Sequence, residues 1–432
     1  MSARLEQRPG PPASLVLRGA RLLDPAAGID RAGDLVVRDG VVGGDPDGLE
    51  AVDASGLVVV PGFVDPHVHL RTPGREDAED IVTGTRAAAA GGYVAIVAMP
   101  NTLPVVDSAA ILGSLLERAS REAAVPTGFY AAITAGQEGR GLTEQVELAE
   151  LGAAGFSDDG RPVVDAQVLR RALQYQKVTG LPVVLHEEDP ALSASGVMHE
   201  GEVSSRLGLA GIPSISESVM VARDAALASY EDARIHVCHV SAAHTVEEIR
   251  SAKARGIGVT AEVTPHHLLL TDREVASRDP VRFKMNPPLR AEADREALVA
   301  GLLDGTLDCV ATDHAPHPAQ EKEAPFEQAP FGVTGLETAF AALHTHLVLT
   351  GRVPLEVLVR RMSADAARVI DLPAPTLAEG AQANLAVLDL SARWRVGEGG
   401  FQSRSSNCAF LGEELTGQVT MTIAGGQVAW RR

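Results

Sequence analysis

The stretch LVVVPGFVDPHVHL, residues 57–70, is a nearly unbroken apolar run that closes on His67-Val68-His69. Strands buried on both faces read this way, without the alternation of a half-solvated strand. Residues i and i+2 of a strand point to one face, so both imidazoles can reach a single ion. A lone His-x-His pair is weak evidence by itself. Its weight comes from how often the same layout returns downstream.

Seven further runs follow in order: YVAIVAMPN, TGFYAAIT, AAGFSDD, LPVVLHE, RIHVCHV, GVTAEVTP and LDCVATDHA. Segments of helical composition, such as EDAEDIVTGTRAAAAGG and AAHTVEEIRSAKARG, stand between them. Eight βα-type units over roughly three hundred residues predict an α/β fold, a (β/α)8 TIM barrel. A doubly wound sheet is the alternative, but no GxGxxG-type turn follows an early strand.

The two ends read differently. SLVLRGARLL and DLVVRDGVV near the start, and ANLAVLDLSARW and VTMTIAGGQVAWRR near the end, are short strands separated by glycine turns. Chain ends often lie close in space. Residues 1–60 with 380–432 are therefore expected to form one small composite β-sandwich domain, with the catalytic barrel over 61–379.

Of the 432 residues, 45% are hydrophobic, enough for a sizeable core. Lys+Arg 38 against Asp+Glu 57 gives a net charge of −19, which argues against general nucleic-acid binding. No apolar run approaches membrane-span length. The start, MSARLEQRPGPPAS, lacks the apolar centre of a signal peptide. Cys238, Cys309 and Cys408 are far apart and form neither a disulfide framework nor a CxxC site. A reducing cytoplasm is the expected location.

Barrel chemistry sits at the C-terminal ends of the strands. The first strand closes on His67 and His69, the second on Asn101, the fourth on Asp158-Asp159 in GFSDDG, the fifth on His186, the sixth on His239 and the eighth on Asp313. Four histidines and two carboxylates on one rim, without thiolates, suit Zn²⁺ or a similar divalent ion. Four histidines would close a single site, whereas two ions sharing a bridging carboxylate, about 3.5–4 Å apart, keep it open. Strand alternation sends Asp158 and Asp159 to different sides, so at most one of them should face the mouth directly. His344 and His346 form another His-x-His, but in a helical segment where i and i+2 do not face each other, and they receive no role. His199, His236 and His244 read as surface or satisfied polar residues. His266 and His267 are placed at the mouth of the seventh strand, without a ligand role.

PGFVDPHVHLRTPGRED, AAAAGGYVAIVAMPNTLPVVD, GFSDDGRPV, HVSAAHTVEEIRSAKARGIGVTAEVTPHHLLLTD, MNPPLR, ATDHAPH and APFGVTGLET run through the barrel in order. Through them the chain resembles the amidohydrolase superfamily, and within it the bacterial class I dihydroorotases. The resemblance implies two divalent ions per subunit, Zn²⁺ for preference. His67, His69 and Asp313 would hold one, His186 and His239 the other, and Asp159 would bridge. It implies reversible hydrolysis of (S)-dihydroorotate to N-carbamoyl-L-aspartate, the third step of de novo pyrimidine biosynthesis. A metal-bridging hydroxide would be the nucleophile and Asp313 the general acid and base.

A substrate carboxylate calls for a planar bidentate donor, and Arg71 lies two residues past His69, on the same face of the strand by alternation. Asn101 and His317 resemble its companions; Asn286 and the backbone near Phe331 and Gly332 resemble ring contacts. The resemblance also allows a homodimer or an assembly with aspartate transcarbamoylase. The chain departs from hydantoinases, dihydropyrimidinases and allantoinases, which use a carboxylated lysine at the fourth strand; residues 154–162 contain no lysine. Thr72 and Ala78 are smaller departures. The alternatives are another cyclic amidohydrolase or a non-catalytic partner of a transcarbamoylase, which would have lost ligands that this chain keeps. The polar segment HPAQEKEAPFEQ, between His317 and Phe331 (318–330), is expected to be a mobile lid.

Overall fold

The computed structural model describes residues 3–277 and 279–432. Both ends of the chain build one sheet. Its spatial order is Gln427–Arg431, Glu414–Ala424, Leu385–Arg395, Val58–Pro61, Leu15–Asp24, Ile29–Arg38 and Val41–Val42, with Glu50–Asp53 also beside Leu15–Asp24. Val58–Pro61 joins the two ends. It runs parallel to Leu15–Asp24 and antiparallel to Leu385–Arg395, with Leu385 opposite Pro61 and Leu388 opposite Val58. The register of Leu15–Asp24 against Ile29–Arg38 shifts between Leu17 and Ala20. Leu15, Leu17, Leu22, Val37, Val59, Leu385, Val387 and Ile423 share one buried core. The layers of the expected sandwich are thus one continuous hydrogen-bonded sheet wrapped around that core.

The chain leaves the sheet at Pro61 and enters the barrel at Phe63. The eight barrel strands are Phe63–Val68, Tyr93–Ala98, Thr127–Phe129, Phe156–Ser157, Val183–Leu185, Arg234–Val237, Gly258–Val263 and Cys309–Val310. All the pairings between them are parallel. The first three strands form one sheet and the last five another. Two narrow seams close the ring: a bridge between Ala131 and Phe156, and one between Val68 and His314. At the second seam Asp65 accepts from the backbone N–H of both His67 (3.1 Å) and Thr312 (3.2 Å), tying the first strand to the eighth.

Helices wrap the outside, and the amphipathic ones bury one face each. In Ala109–Glu122 the buried residues are Leu112, Leu115, Leu116 and Ala119, the i, i+3, i+4, i+7 pattern of an amphipathic helix. Burying each leucine is worth about 1.5–3 kcal/mol. Asp80 caps Ile81–Ala90 by accepting from Thr83 N (2.8 Å), and Asp165 caps Ala166–Thr179 by accepting from Gln167 N (2.7 Å). Such caps fix where each helix starts and so how long the loops at the barrel mouth are.

Between Leu385–Arg395 and Glu414–Ala424 the chain departs from the terminal sheet and crosses onto the barrel. Val396, Cys408, Ala409 and Phe410 pack there with Met285, Leu289 and Val333. His344 is satisfied by Thr416 O at 2.9 Å and stacks on Phe340, as suits a core histidine.

Candidate metal centre and active site

The C-terminal ends of the barrel strands open into a cavity of about 250 Å³. His69, Arg71, Asn101, Asp159, His186, His239, Asn286, Asp313, His317, Phe331 and Gly332 line it. His67 lies at its base, fully buried. The strands thereby bring all twelve residues expected from the sequence to one place.

Asp159 is the centre of the arrangement. Its Oδ1 lies 3.5 Å from His67 Nε2 and 3.7 Å from both His186 Nδ1 and His239 Nε2. Its Oδ2 lies 3.6 Å from His69 Nε2. Asp313 Oδ1 is 3.0 Å from His69 Nε2 and 3.5 Å from His67 Nε2. Ligands held about 2.0–2.2 Å from a tetrahedral ion stand about 3.2–3.6 Å from one another, so this spacing suits a metal. His67 Nε2 and Asp159 Oδ1 face each other, both buried and both without a hydrogen-bond partner. Such an atom costs about 1–3 kcal/mol unless something satisfies it, and a cation between the two would do so. Burial alone would raise the Asp159 carboxyl, but the surrounding imidazoles, His67 first, hold it well below the usual carboxylate range.

Asp158 turns the other way. Its Oδ1 accepts from the backbone N–H of Ile133 (2.8 Å) and Thr134 (3.1 Å), and the Thr134 hydroxyl donates to Oδ2. Burial pushes it up to about 6, against those hydrogen bonds. The two neighbouring acids therefore sit in opposite electrostatic surroundings.

Buried partners aim the imidazoles. Glu262 Oε1 lies 2.6 Å from His67 Nδ1, so the proton sits on Nδ1 and the Nε2 lone pair points at Asp159. Asn101 Oδ1 does the same for His69 Nδ1 at 2.9 Å, while its Nδ2 donates to Asp159 Oδ2 at 3.1 Å. Both ends of the Asn101 amide thus serve the candidate metal ligands as well as the cavity wall, a use that strand-end placement does not reveal. Glu262 Oε2 also meets His236 Nε2 at 3.1 Å, and His236 Nδ1 meets Thr260 Oγ1 at 2.8 Å. Burial opposes ionisation of Glu262, but His67 and His236 hold it well below its ordinary value. Glu262→Gln removes that charge and allows the wrong His67 tautomer. We expect metal affinity to fall about 10–100-fold, with the fold intact, in a chelator competition titration. Unchanged affinity would exclude this orienting role.

The opposite wall is cationic. The strand ends at Val68, so alternation no longer governs Arg71; its backbone is left-handed, with φ 54. His239 (φ 32) and Asp313 (φ 47) share that conformation. Such backbone costs about 1 kcal/mol or more per residue and gathers at functional sites. Arg71 Nε donates to Pro316 O at 3.2 Å. Burial pulls Arg71 down to about 10 against the pull of Asp313, so it remains a cation at neutral pH. His317 Nε2 lies 2.8 Å from Phe331 O and 3.3 Å from Arg71 Nη2, while its Nδ1 lies 3.2 Å from Glu321 Oε2. Burial, then the nearby Arg71, lowers His317 to about 2 and keeps it neutral. Gly332 has φ 128, and a Cβ there would meet Ala315 Cβ at 2.7 Å and His317 Nε2 at 3.1 Å.

Residues 56–245 match the family model described as dihydro-orotase-like. A curated dihydroorotase of Anaeromyxobacter sp. (strain K) is 48% identical over 421 residues, covering 96% of this chain and 97% of that one. The chain belongs to the dihydroorotase family. A dihydroorotase of Geobacter sp. (strain M21) is 45% identical over 97% of this chain and 99% of its own. Among solved structures, the L-hydantoinase (dihydropyrimidinase) from Arthrobacter aurescens aligns with TM-score 0.86 at 26% identity, over 97% of this chain and 96% of that one. A dihydropyrimidinase from Brevibacillus agri NCHU1002 shares the fold, with TM-score 0.83 at 22% identity.

Within this dihydroorotase-family chain, some side chains fall elsewhere than expected. His266 and His267 are buried on the short helix Pro265–Leu269 and stand outside the cavity lining; His267 is held by Thr264 and by Pro287 O at 2.9 Å. The helix that carries them starts directly after the seventh strand, with Thr264 as its N-cap. The segment expected to be a mobile lid is stitched down. Lys322 Nζ donates to Pro330 O (2.9 Å) and Lys284 O (3.2 Å), and Lys284 Nζ donates to Phe326 O and Glu327 O. Glu188 was not foreseen: its Oε2 accepts from Asn286 Nδ2 at 2.7 Å and lies 3.7 Å from His186 Nε2. That leaves Asn286 Oδ1 buried and unpartnered. The run of three acids in HEED, directly after His186, was its visible signal in the sequence.

Proposed function

We propose that the chain catalyses the reversible hydrolysis of (S)-dihydroorotate to N-carbamoyl-L-aspartate in pyrimidine synthesis. One observation carries this reading beyond family membership. A buried arginine faces, across one small cavity, a cluster of four imidazoles and two carboxylates. The substrate has the matching polarity, with a ring carboxylate at one end and a hydrolysable imide at the other. Hydantoins and dihydrouracil lack that carboxylate and leave Arg71 without a partner.

The nitrogen and oxygen donors suit two Zn²⁺ ions, one at His67, His69 and Asp313 and one at His186 and His239, with Asp159 common to both. When bound there, the ions would supply Lewis acidity and lower the pKa of water toward neutrality. The protein's own groups do the rest. Arg71, with Asn101 and His317 on the same wall, fixes the ring carboxylate and so aims the carbonyl beside the ring methylene at the cluster. Asn286 Oδ1, an acceptor without a partner, suits a ring N–H. Asp313 takes a proton from the attacking water and passes it to the ring nitrogen as the C–N bond breaks. In the synthetic direction Asp313 accepts the nitrogen's proton as that bond forms.

Arg71→Ala tests the assignment. Truncating one partner of a buried charge pair costs about 2–5 kcal/mol, or roughly 30-fold to several-thousand-fold. We expect kcat/KM for dihydroorotate to fall by that factor with metal content unchanged. Wild-type kinetics in this variant, or faster turnover of hydantoin, dihydrouracil or allantoin by the parent, would overturn the substrate assignment.

A further inference from the structure

The connection between Leu385–Arg395 and Glu414–Ala424 belongs to the terminal sheet by sequence, yet it reaches the cavity wall. Every polar atom of the Asn407 side chain is used there. Its Oδ1 accepts from His317 N at 3.1 Å, and its Nδ2 donates to Ala315 O and Gly332 O, each at 3.1 Å. Its backbone carbonyl accepts from Thr334 N at 3.1 Å. One amide thereby pins two separate segments, 315–317 and 332–334, against each other. Between them lie the His317 ring and the Phe331 carbonyl, next to Arg71.

We propose that Asn407 is a positioning residue for the carboxylate end of the active site, so that the terminal domain helps set preference for a carboxylate-bearing ring. This rests on the substrate reading given above. Asparagine is suited to the task because it offers one acceptor and two donors from a short, stiff side chain. Aspartate has the same size but would set a carboxylate oxygen against the carbonyls of Ala315 and Gly332. The loop does not depend on Asn407 alone. Ser403 N donates to Glu337 Oε1 at 3.0 Å, Ser405 Oγ donates to Ala78 O at 2.6 Å, and Arg404 pairs with Asp80. Asn407 can therefore be changed while the strap stays attached.

The test uses the metal-loaded full chain with Asn407→Ala and Asn407→Asp, each alone and combined with Arg71→Ala. Both single variants should raise KM for dihydroorotate about 10–100-fold while kcat stays within about threefold. Metal content should match the parent, and the thermal midpoint should fall by only a few degrees, because the strap keeps its other ties. In the Arg71→Ala background the Asn407 changes should add little, because both act on the same carboxylate. An unchanged KM, a loss confined to kcat, effects that multiply fully with Arg71→Ala, or failure of both variants to fold would each overturn the proposal. If the parent enzyme itself ignores dihydroorotate, the substrate reading has failed instead.

Discussion

An Asp159→Ala protein should purify with at least one metal ion fewer per chain than its parent, and turnover should fall by more than about 1,000-fold. The reason is geometric. The two oxygens of this carboxylate stand within 3.5–3.7 Å of nitrogens from four histidines at the ends of three different strands. No neighbouring acid can replace it, because Asp158 faces the backbone of Ile133 and Thr134. The transition-state stabilisation at stake is several kcal/mol, and each 1.36 kcal/mol is tenfold in rate. Asp158→Ala provides the contrast. It strips acceptors from two backbone N–H groups and should cost about 1–3 kcal/mol of stability, with metals retained. Elemental analysis and thermal unfolding of the two proteins separate these outcomes. Full metal content in Asp159→Ala, or metal loss in Asp158→Ala, would reverse the roles.

Asp313→Asn should be the most damaging isosteric change. The amide keeps the shape and can still point an oxygen toward His69 Nε2, which Asp313 Oδ1 meets at 3.0 Å. It cannot take up and return a proton at neutral pH. General acid–base catalysis contributes about 10²–10⁴-fold. A weakened ion adds to that, so a total loss of about 10⁴-fold is expected. Titrating Zn²⁺ into the variant distinguishes the two contributions. Metal content should recover at high Zn²⁺ and turnover should not. Recovery of both would leave Asp313 a ligand only.

Much of this site was legible because barrel strands make a simple code. A run buried on both faces needs apolar residues, so the first polar residue at its end stands out. His186 was visible in that way; His67, His239 and Asp313 stood out as strand-end groups able to bind a metal, and Asp159 was told from Asp158 only by the family resemblance. Arg71 was placed on the right wall by the wrong geometry, since a left-handed turn rather than strand alternation brings it there. Glu262 was missed because one buried acid in GVTAEVTP looks like a packing oddity until His67, 195 residues away, is seen against it. The 318–330 segment looked mobile because it is polar. Lys284 and Lys322 bind backbone carbonyls there, and any sequence supplies those, so composition carries no trace of the tie. Asn407 was silent for a similar reason: it serves three backbone groups, none of which has a residue type to match.

The composite sheet also sets a schedule. A ribosome delivers Val58–Pro61 and the whole barrel before it delivers Leu385–Arg395, the strand that pairs with Val58–Pro61 along its second edge. Until then that edge has no ladder, and segments 315–317 and 332–334 lack the clasp of Asn407. Every metal-ligand candidate has emerged by residue 313. The nascent chain therefore holds its candidate metal ligands and the Arg71 wall long before it holds Asn407, so the clasp we assign to that wall is the last part of the site to be completed during synthesis.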